Sequence, residues 1–251
     1  INHRVLFRQR WGYKRGKQDA AKFLKYEEDV VEPTYQTLKA ELLDKNIFEP
    51  IAIYAYYPCI SWDNKIYIFD KKYLFNSLEE AKNVPPLSEA IKVLEFPRQK
   101  RKPFRCIADF FANDRLDVIA FTLASAGLKI SDYERSLYDK GEFTKYYQVH
   151  GLGVELAEAL AEVLHKQIRL DLDIVPKEGH TLNDVQMKQY VGCRYSPGYA
   201  ACPDLAMNRD IFDLLNPEEF GIELSETFQM HPEQTTCAIV VTHKEANYYN
   251  I

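Results

Sequence analysis

The sequence predicts an α+β fold, an antiparallel sheet with surrounding helices, and three observations carry that expectation. Runs of β-branched and aromatic residues lie next to one another across short turns rather than alternating with helices as repeating βαβ units would. One long segment has helical periodicity of its own. Neither an internal repeat nor a low-complexity stretch interrupts the 251 residues, a length that one large domain can fill with a self-sufficient core.

Taken in order, residues 19–45 place Phe23, Val30, Val31, Leu38, Leu42 and Leu43 at helical spacings, and Pro33 divides the run into two short helices. Residues 50–58, PIAIYAYYP, read as a strand, SWDNK supplies turn chemistry, and Ile66 to Phe69 resumes the strand pattern, so a hairpin is expected. Asn83 to Pro86 is a break, and Ile91 to Phe96 is a further strand candidate. The apolar stretches Ile107 to Phe111 and Val118 to Ser125 are compatible with either strand or buried helix. From Lys145 to Leu170 the residues Leu152, Leu156, Ala159, Leu160, Val163, Leu164 and Ile168 recur at threes and fours, which predicts a helix. A second helix is expected through Met207 to Leu215, stopped by Pro217, and Gly221 to Val241 reads as two strands joined at His231 to Gln234.

Composition narrows function mainly by exclusion. A formal charge of -5 with both signs interspersed argues against a nucleic-acid partner, and the basic run Arg98 to Arg105 reads as a solvated loop. Cys59, Cys106, Cys193, Cys202 and Cys237 form no CxxC pair, so neither a disulfide framework nor a zinc knuckle is indicated and a reducing cytoplasm fits. There is no apolar run near membrane-spanning length and no signal-peptide pattern, so no membrane partner is expected. Gly151 to Gly153 lacks the third glycine and the preceding strand of a dinucleotide-binding turn. A P-loop, an HExxH pair and a GxSxG elbow are all missing. His3, His150, His165, His180, His231 and His243 are scattered singly, giving no metal site, and His165 reads as a packing or capping residue. Glu158 and Glu162, one helical turn apart, read as a solvated face.

The segment Arg194 to Asp204, RYSPGYAACPD, is the richest local feature. Its prolines and Gly198 fix an irregular loop able to present backbone groups to a ligand, and the Arg194 guanidinium can grip a carboxylate through two parallel hydrogen bonds. On these residues alone, a tight turn with a surface arginine remains an open alternative. The spacing RxxxGYxxCP (Arg194, Gly198, Tyr199, Cys202, Pro203) is flanked in order by ADF at Ala108 to Phe110, LAEALAEVLH at Leu156 to His165, ELSETFQMHP at Glu223 to Pro232 and THKEANYY at Thr242 to Tyr249.

In this ordered set the chain resembles the activation domain that ends cobalamin-dependent methionine synthases. The resemblance covers nearly the whole chain and implies that residues 1–251 form one S-adenosylmethionine (AdoMet)-binding domain, the C-terminal part of a larger or split enzyme. It implies a methyltransferase role: AdoMet gives its methyl group to cob(II)alamin as a flavodoxin-like reductant supplies an electron, regenerating methylcobalamin, and this chain alone has little activity. Cobalamin belongs to a partner domain, in cis or in trans, since this sequence has no DxHxxG signature. By the same resemblance Arg194 takes the AdoMet carboxylate, main-chain groups around Ser196 and Gly198 hold the ligand, Tyr199 faces the corrin, and Tyr248 and Tyr249 contact AdoMet. One departure stands out: Asn2 occupies the place of an aspartate that pairs with the AdoMet amino group, and an asparagine brings an acceptor without a charge. An AdoMet-sensing or corrinoid-docking module without methyl transfer is the alternative that Asn2 keeps open.

Overall fold

A computed structural model describes residues 1–174 and 190–251; His180 lies outside the described residues. Its centre is a six-stranded, wholly antiparallel sheet in the order β3-β2-β1-β4-β8-β5. The expected hairpin is present as β1 (Ile51–Trp62) and β2 (Lys65–Ile68), turning at Asp63, whose φ of 55° lies in the left-handed region. Strand β3 (Lys92–Glu95) adds to its outer edge. The two ambiguous apolar stretches resolve differently: Ile107–Phe110 is a 3₁₀ turn, while β4 (Asp117–Ser125) becomes a central strand.

The tail departs from expectation. Its first half is a small separate hairpin, β6 (Glu223–Leu224) with β7 (Met230–His231), and only β8 (Thr235–Val241) joins the main sheet. Gly221, Ser225 and Phe228, the last at φ 61°, make the intervening chain turn too tightly for one long strand. The fifth strand in chain order, β5 (Cys193–Tyr195), falls inside the segment expected to be loop, so Arg194 and Tyr195 are ladder residues of the sheet edge, Arg194 opposite Val240.

Alternation along the strands sorts the two faces. Ile119, Phe121 and Leu123 of β4, Cys237, Ile239 and Val241 of β8, and Tyr195 of β5 point into the main core. There they meet Ile211 and Phe212 of a helix, α7 (Met207–Leu215), where the sequence places one. The opposite face presents Ala120 and Ala124, small side chains that let the long helix α6 (Phe143–Asp171) lie close, with Ala161, Leu164 and Ile168 against them. Gly151 and Gly153 let other neighbours approach α6 as closely. A Cβ on Gly153 would stand 2.7 Å from Ile130 and 2.8 Å from Gln234, and one on Gly151 would stand 3.0 Å from Arg10.

At the N-terminal side, a short helix α1 (His3–Val5) runs into a π-helical turn, Leu6–Arg10. The predicted break at Pro33 takes the form of a second π turn, Glu27–Val31, between α2 (Ala20–Tyr26) and α3 (Glu32–Asp44). Proline lacks the donor that the carbonyl four residues earlier needs, and widening the preceding turn relieves that conflict without ending the helix. After a four-residue α4 (Leu78–Ala81), helix α5 (Leu128–Asp139) completes this layer. Glu41 ties the layer together: it accepts from Lys45 at 2.6 Å, Tyr133 of α5 at 2.6 Å and Lys145 of α6 at 2.7 Å, and these bonds lower its pKa to about 2.

The basic run is largely solvated, as its charge suggests, but it is anchored at both ends. Arg98 forms a two-pronged bond to Asp109, both arms 2.7 Å, and Arg105 reaches Asn247 at 2.6 Å, so this loop fastens the C-terminal segment. Among the described residues, no helix is long and apolar enough to cross a membrane.

Candidate functional site

The groove between α6 and the β8–β5 edge collects the polar chemistry. A pocket of about 190 Å³ opens there, lined by Val154, Ala157 and Glu158 of α6, by Ser196, Pro197 and Tyr199 of the loop after β5, and by Glu233 to Cys237 before and within β8. Arg10, Asn208 and Met230 complete the lining. Its ionisable rim is one cation, Arg10, against two carboxylates, Glu158 and Glu233, a balance that favours a ligand carrying positive charge. Cys237 is no nucleophile: burial pushes its thiol up to about 12, and the Sγ donates to Asn208 at 3.1 Å.

The loop after β5 is braced from within. Gly198 N donates to the Cys202 carbonyl at 2.8 Å and Cys202 N to the Tyr199 carbonyl at 2.8 Å, and Gly198 sits at φ 87°, where a side chain would be strained. That bracing turns Tyr199 outward, 61% exposed, beside the pocket mouth.

Arg194 sits one helical turn further along α6 from the pocket. Because strand residues alternate, its side chain faces α6 while Tyr195 enters the main core. Its Nη2 donates to Glu162 at 2.8 Å and lies 3.9 Å from Glu158, which itself lines the pocket. Burial is the largest single influence and acts to lower the Arg194 pKa, but the bond and charge of Glu162, with Tyr190 and Glu158, together outweigh it and the net shift is upward. Nη1, equally buried, has no hydrogen-bond partner among the described residues. Glu162 also receives the Tyr190 hydroxyl, at 3.0 and 3.3 Å, so the Glu158 and Glu162 pair is half engaged in the site rather than the solvated face that spacing predicts. What the spacing could not show is that the sheet edge delivers an arginine onto that face.

Behind the pocket a buried polar cluster fixes its floor. Gln234 Nε2 donates to both Glu134 oxygens at 2.7 Å, and His150 Nδ1 lies 3.3 Å from the same carboxylate. Burial raises the Glu134 pKa against the pull of His150, and the Glu134 bond raises that of His150.

Of the residues singled out by sequence, Ser196 and Tyr199 line the pocket, Gly198 shapes its loop, and Arg194 flanks it through Glu158. The structure does not bring the tyrosine pair there. Tyr249 is 7% exposed in the main core, its ring 6.0 Å from that of Tyr195, and Tyr248 is surface-exposed. Nor does Asn2 line the pocket; its Oδ1 accepts from Val5 N at 3.2 Å and caps α1. Arg10, Glu233 and Gln234 are pocket residues that sequence reading passed over, since HPEQTT carries only turn chemistry and Arg10 no motif at all. His165 packs as expected, fully buried with its ring 5.0 Å from that of Tyr190.

The profile of the family described as vitamin B12 dependent methionine synthase, activation domain, matches residues 3–251. The chain belongs to this family. Two relatives of this activation domain carry the name methionine synthase, one from Mycobacterium tuberculosis (strain ATCC 25618 / H37Rv) and one from Mycobacterium leprae (strain TN). Each is 34% identical across all of this chain, which spans 21% of the length of either protein. A crystal structure of the MetH reactivation domain bound to AdoHcy shares the fold, with a TM-score of 0.76 and 24% identity, over 90% of this activation domain and 71% of that chain.

Proposed function

We propose that this activation domain binds AdoMet and presents its methyl group to cob(II)alamin under reduction, regenerating methylcobalamin in a cobalamin-dependent methionine synthase. Membership of the activation-domain family supports the reading. The single observation in this chain that carries it is the buried Arg194 guanidinium, with Nη2 bonded to Glu162 and Nη1 lacking a partner among the described residues, beside a pocket with an anionic rim. A buried donor left without an acceptor costs about 1–3 kcal/mol, a cost that an incoming carboxylate relieves.

In this reading AdoMet supplies an electrophilic methyl on a sulfonium. Arg194 holds the carboxylate of the amino-acid end, and backbone groups around Ser196 and Gly198 hold the ligand along the groove. Glu158 and Glu233 offset its positive charge. Exposed Tyr199 faces the corrin, which a cobalamin-binding domain brings in cis or in trans. Asn2 Oδ1, which accepts from Val5 N, keeps a second lone pair for the ligand's amino group but brings no charge. The chain's own work is therefore orientation, the alignment of sulfonium and cobalt that methyl transfer requires. The electron comes from a flavodoxin-like reductant.

Asn2, uncharged and outside the pocket lining, favours a second reading, an AdoMet-sensing or corrinoid-docking module without methyl transfer. Calorimetric titration of the chain with AdoMet, repeated on Arg194→Ala, tests the binding step. Saturable binding in the parent, weakened by about tenfold or more in the variant, is expected from the loss of a charge-assisted contact. No heat in the parent overturns the reading.

A further inference from the structure

We propose that Glu162 and Tyr190 are positioning residues that set the Arg194 guanidinium to read the carboxylate of the bound ligand. The inference rests on the AdoMet reading above and deepens it. Glu162, His165 and Arg169 lie along one stripe of α6, three and four residues apart. The Tyr190 ring lies against that stripe, 4.3 Å from the Arg169 guanidinium and 5.0 Å from the His165 ring. Gripped this way, Tyr190 donates its hydroxyl to Glu162; burial, then the Glu162 charge, raises its pKa, so the donor keeps its proton. Glu162 in turn takes Arg194 Nη2 at 2.8 Å.

The consequence is a guanidinium fixed by one edge. With Nη2 spent on Glu162, the buried Nη1 has no partner among the described residues, and a carboxylate is the acceptor that a guanidinium matches best. Glu162 also carries a charge that repels an incoming carboxylate, so its retention beside Arg194 makes sense if aim matters more than charge. A free arginine has long-stem rotamer freedom to lose on binding, and the Glu162–Tyr190 brace removes that freedom before the ligand arrives.

The test compares AdoMet with decarboxylated AdoMet, which lacks only the carboxylate, by calorimetry on the full chain. The parent is expected to prefer AdoMet by about tenfold or more, the scale of one charge-assisted contact. Glu162→Ala should bring that ratio towards one, Glu162→Gln, which keeps the acceptor, should restore most of it, and Tyr190→Phe should lower it severalfold while leaving the decarboxylated ligand's affinity unchanged. Tyr190→Phe decides the matter if Glu162→Ala fails to fold. A ratio that survives in Glu162→Ala, or in Tyr190→Phe where the alanine variant does not fold, overturns the positioning role and leaves Arg194 as the reader. A parent that does not distinguish the two ligands overturns the Arg194 reading itself, and the positioning role with it.

Discussion

Gly192 shows how a single residue aims the site. It precedes β5 at φ 94°, and a Cβ there would stand 2.4 Å from the Val241 carbonyl oxygen, so only glycine lets the chain enter the sheet edge at the register that places Arg194 opposite Val240. Gly192→Ala is expected to destabilise the fold by about 2 kcal/mol, combining left-handed strain with overpacking, and urea denaturation measures it. Weaker AdoMet binding should accompany that loss. At this scale the sequence is legible where a motif concentrates chemistry, as in RYSPGY, and illegible where a residue acts through its place in space. Arg10 and Gln234 reach the pocket from opposite ends of the chain, and no local spacing announces either. Conversely Tyr249, conspicuous in sequence, is claimed by the core because the strand alternation that turns Arg194 towards α6 turns Tyr195 away to meet it.

Elements with strong internal periodicity need no partner to be recognised. Helix α6 and helix α7 announce themselves because their apolar stripes match a single buried face, and the β1–β2 hairpin because its turn chemistry is local. Helix α5 does not: among its buried residues is Glu134, a carboxylate that only the Gln234 and His150 contacts explain. The seam between α6 and β4 depends on small side chains. Ala124→Leu should cost about 1–3 kcal/mol by overpacking against Ala161 and Leu164, read as a lower thermal midpoint. Glu41, which joins α3 to α5 and α6, gives a pH dependence of definite sign. Its folded pKa, about 2, lies below the ordinary value of 4.5, so its stabilisation is full above pH 4.5 and is lost as pH falls towards 2. Glu41→Gln should flatten that acid limb in denaturation midpoints taken from pH 6 down to 2, leaving the neutral-pH slope unchanged.

Over the whole molecule, the α+β class was readable because strand and helix patterns do not alternate, whereas the strand order was not. Pairing β1 with β4 and β4 with β8 joins segments far apart in the chain, a choice made by which faces bury together rather than by any local signal. That order matters for function, since it puts the RYSPGY strand on the open edge beside β8, next to α6, where a groove remains between sheet and helix. The site is thus an edge feature of the sheet. The central claim is tested most directly by supplying AdoMet labelled on its methyl group to this chain together with a cobalamin-binding domain in the cob(II)alamin state and a one-electron reductant. Label should appear on cobalt as methylcobalamin only when the chain is present, and Arg194→Ala should slow its appearance by about tenfold or more at limiting AdoMet. AdoMet bound by the chain with no label reaching cobalt would contradict the account and leave a binding module in its place.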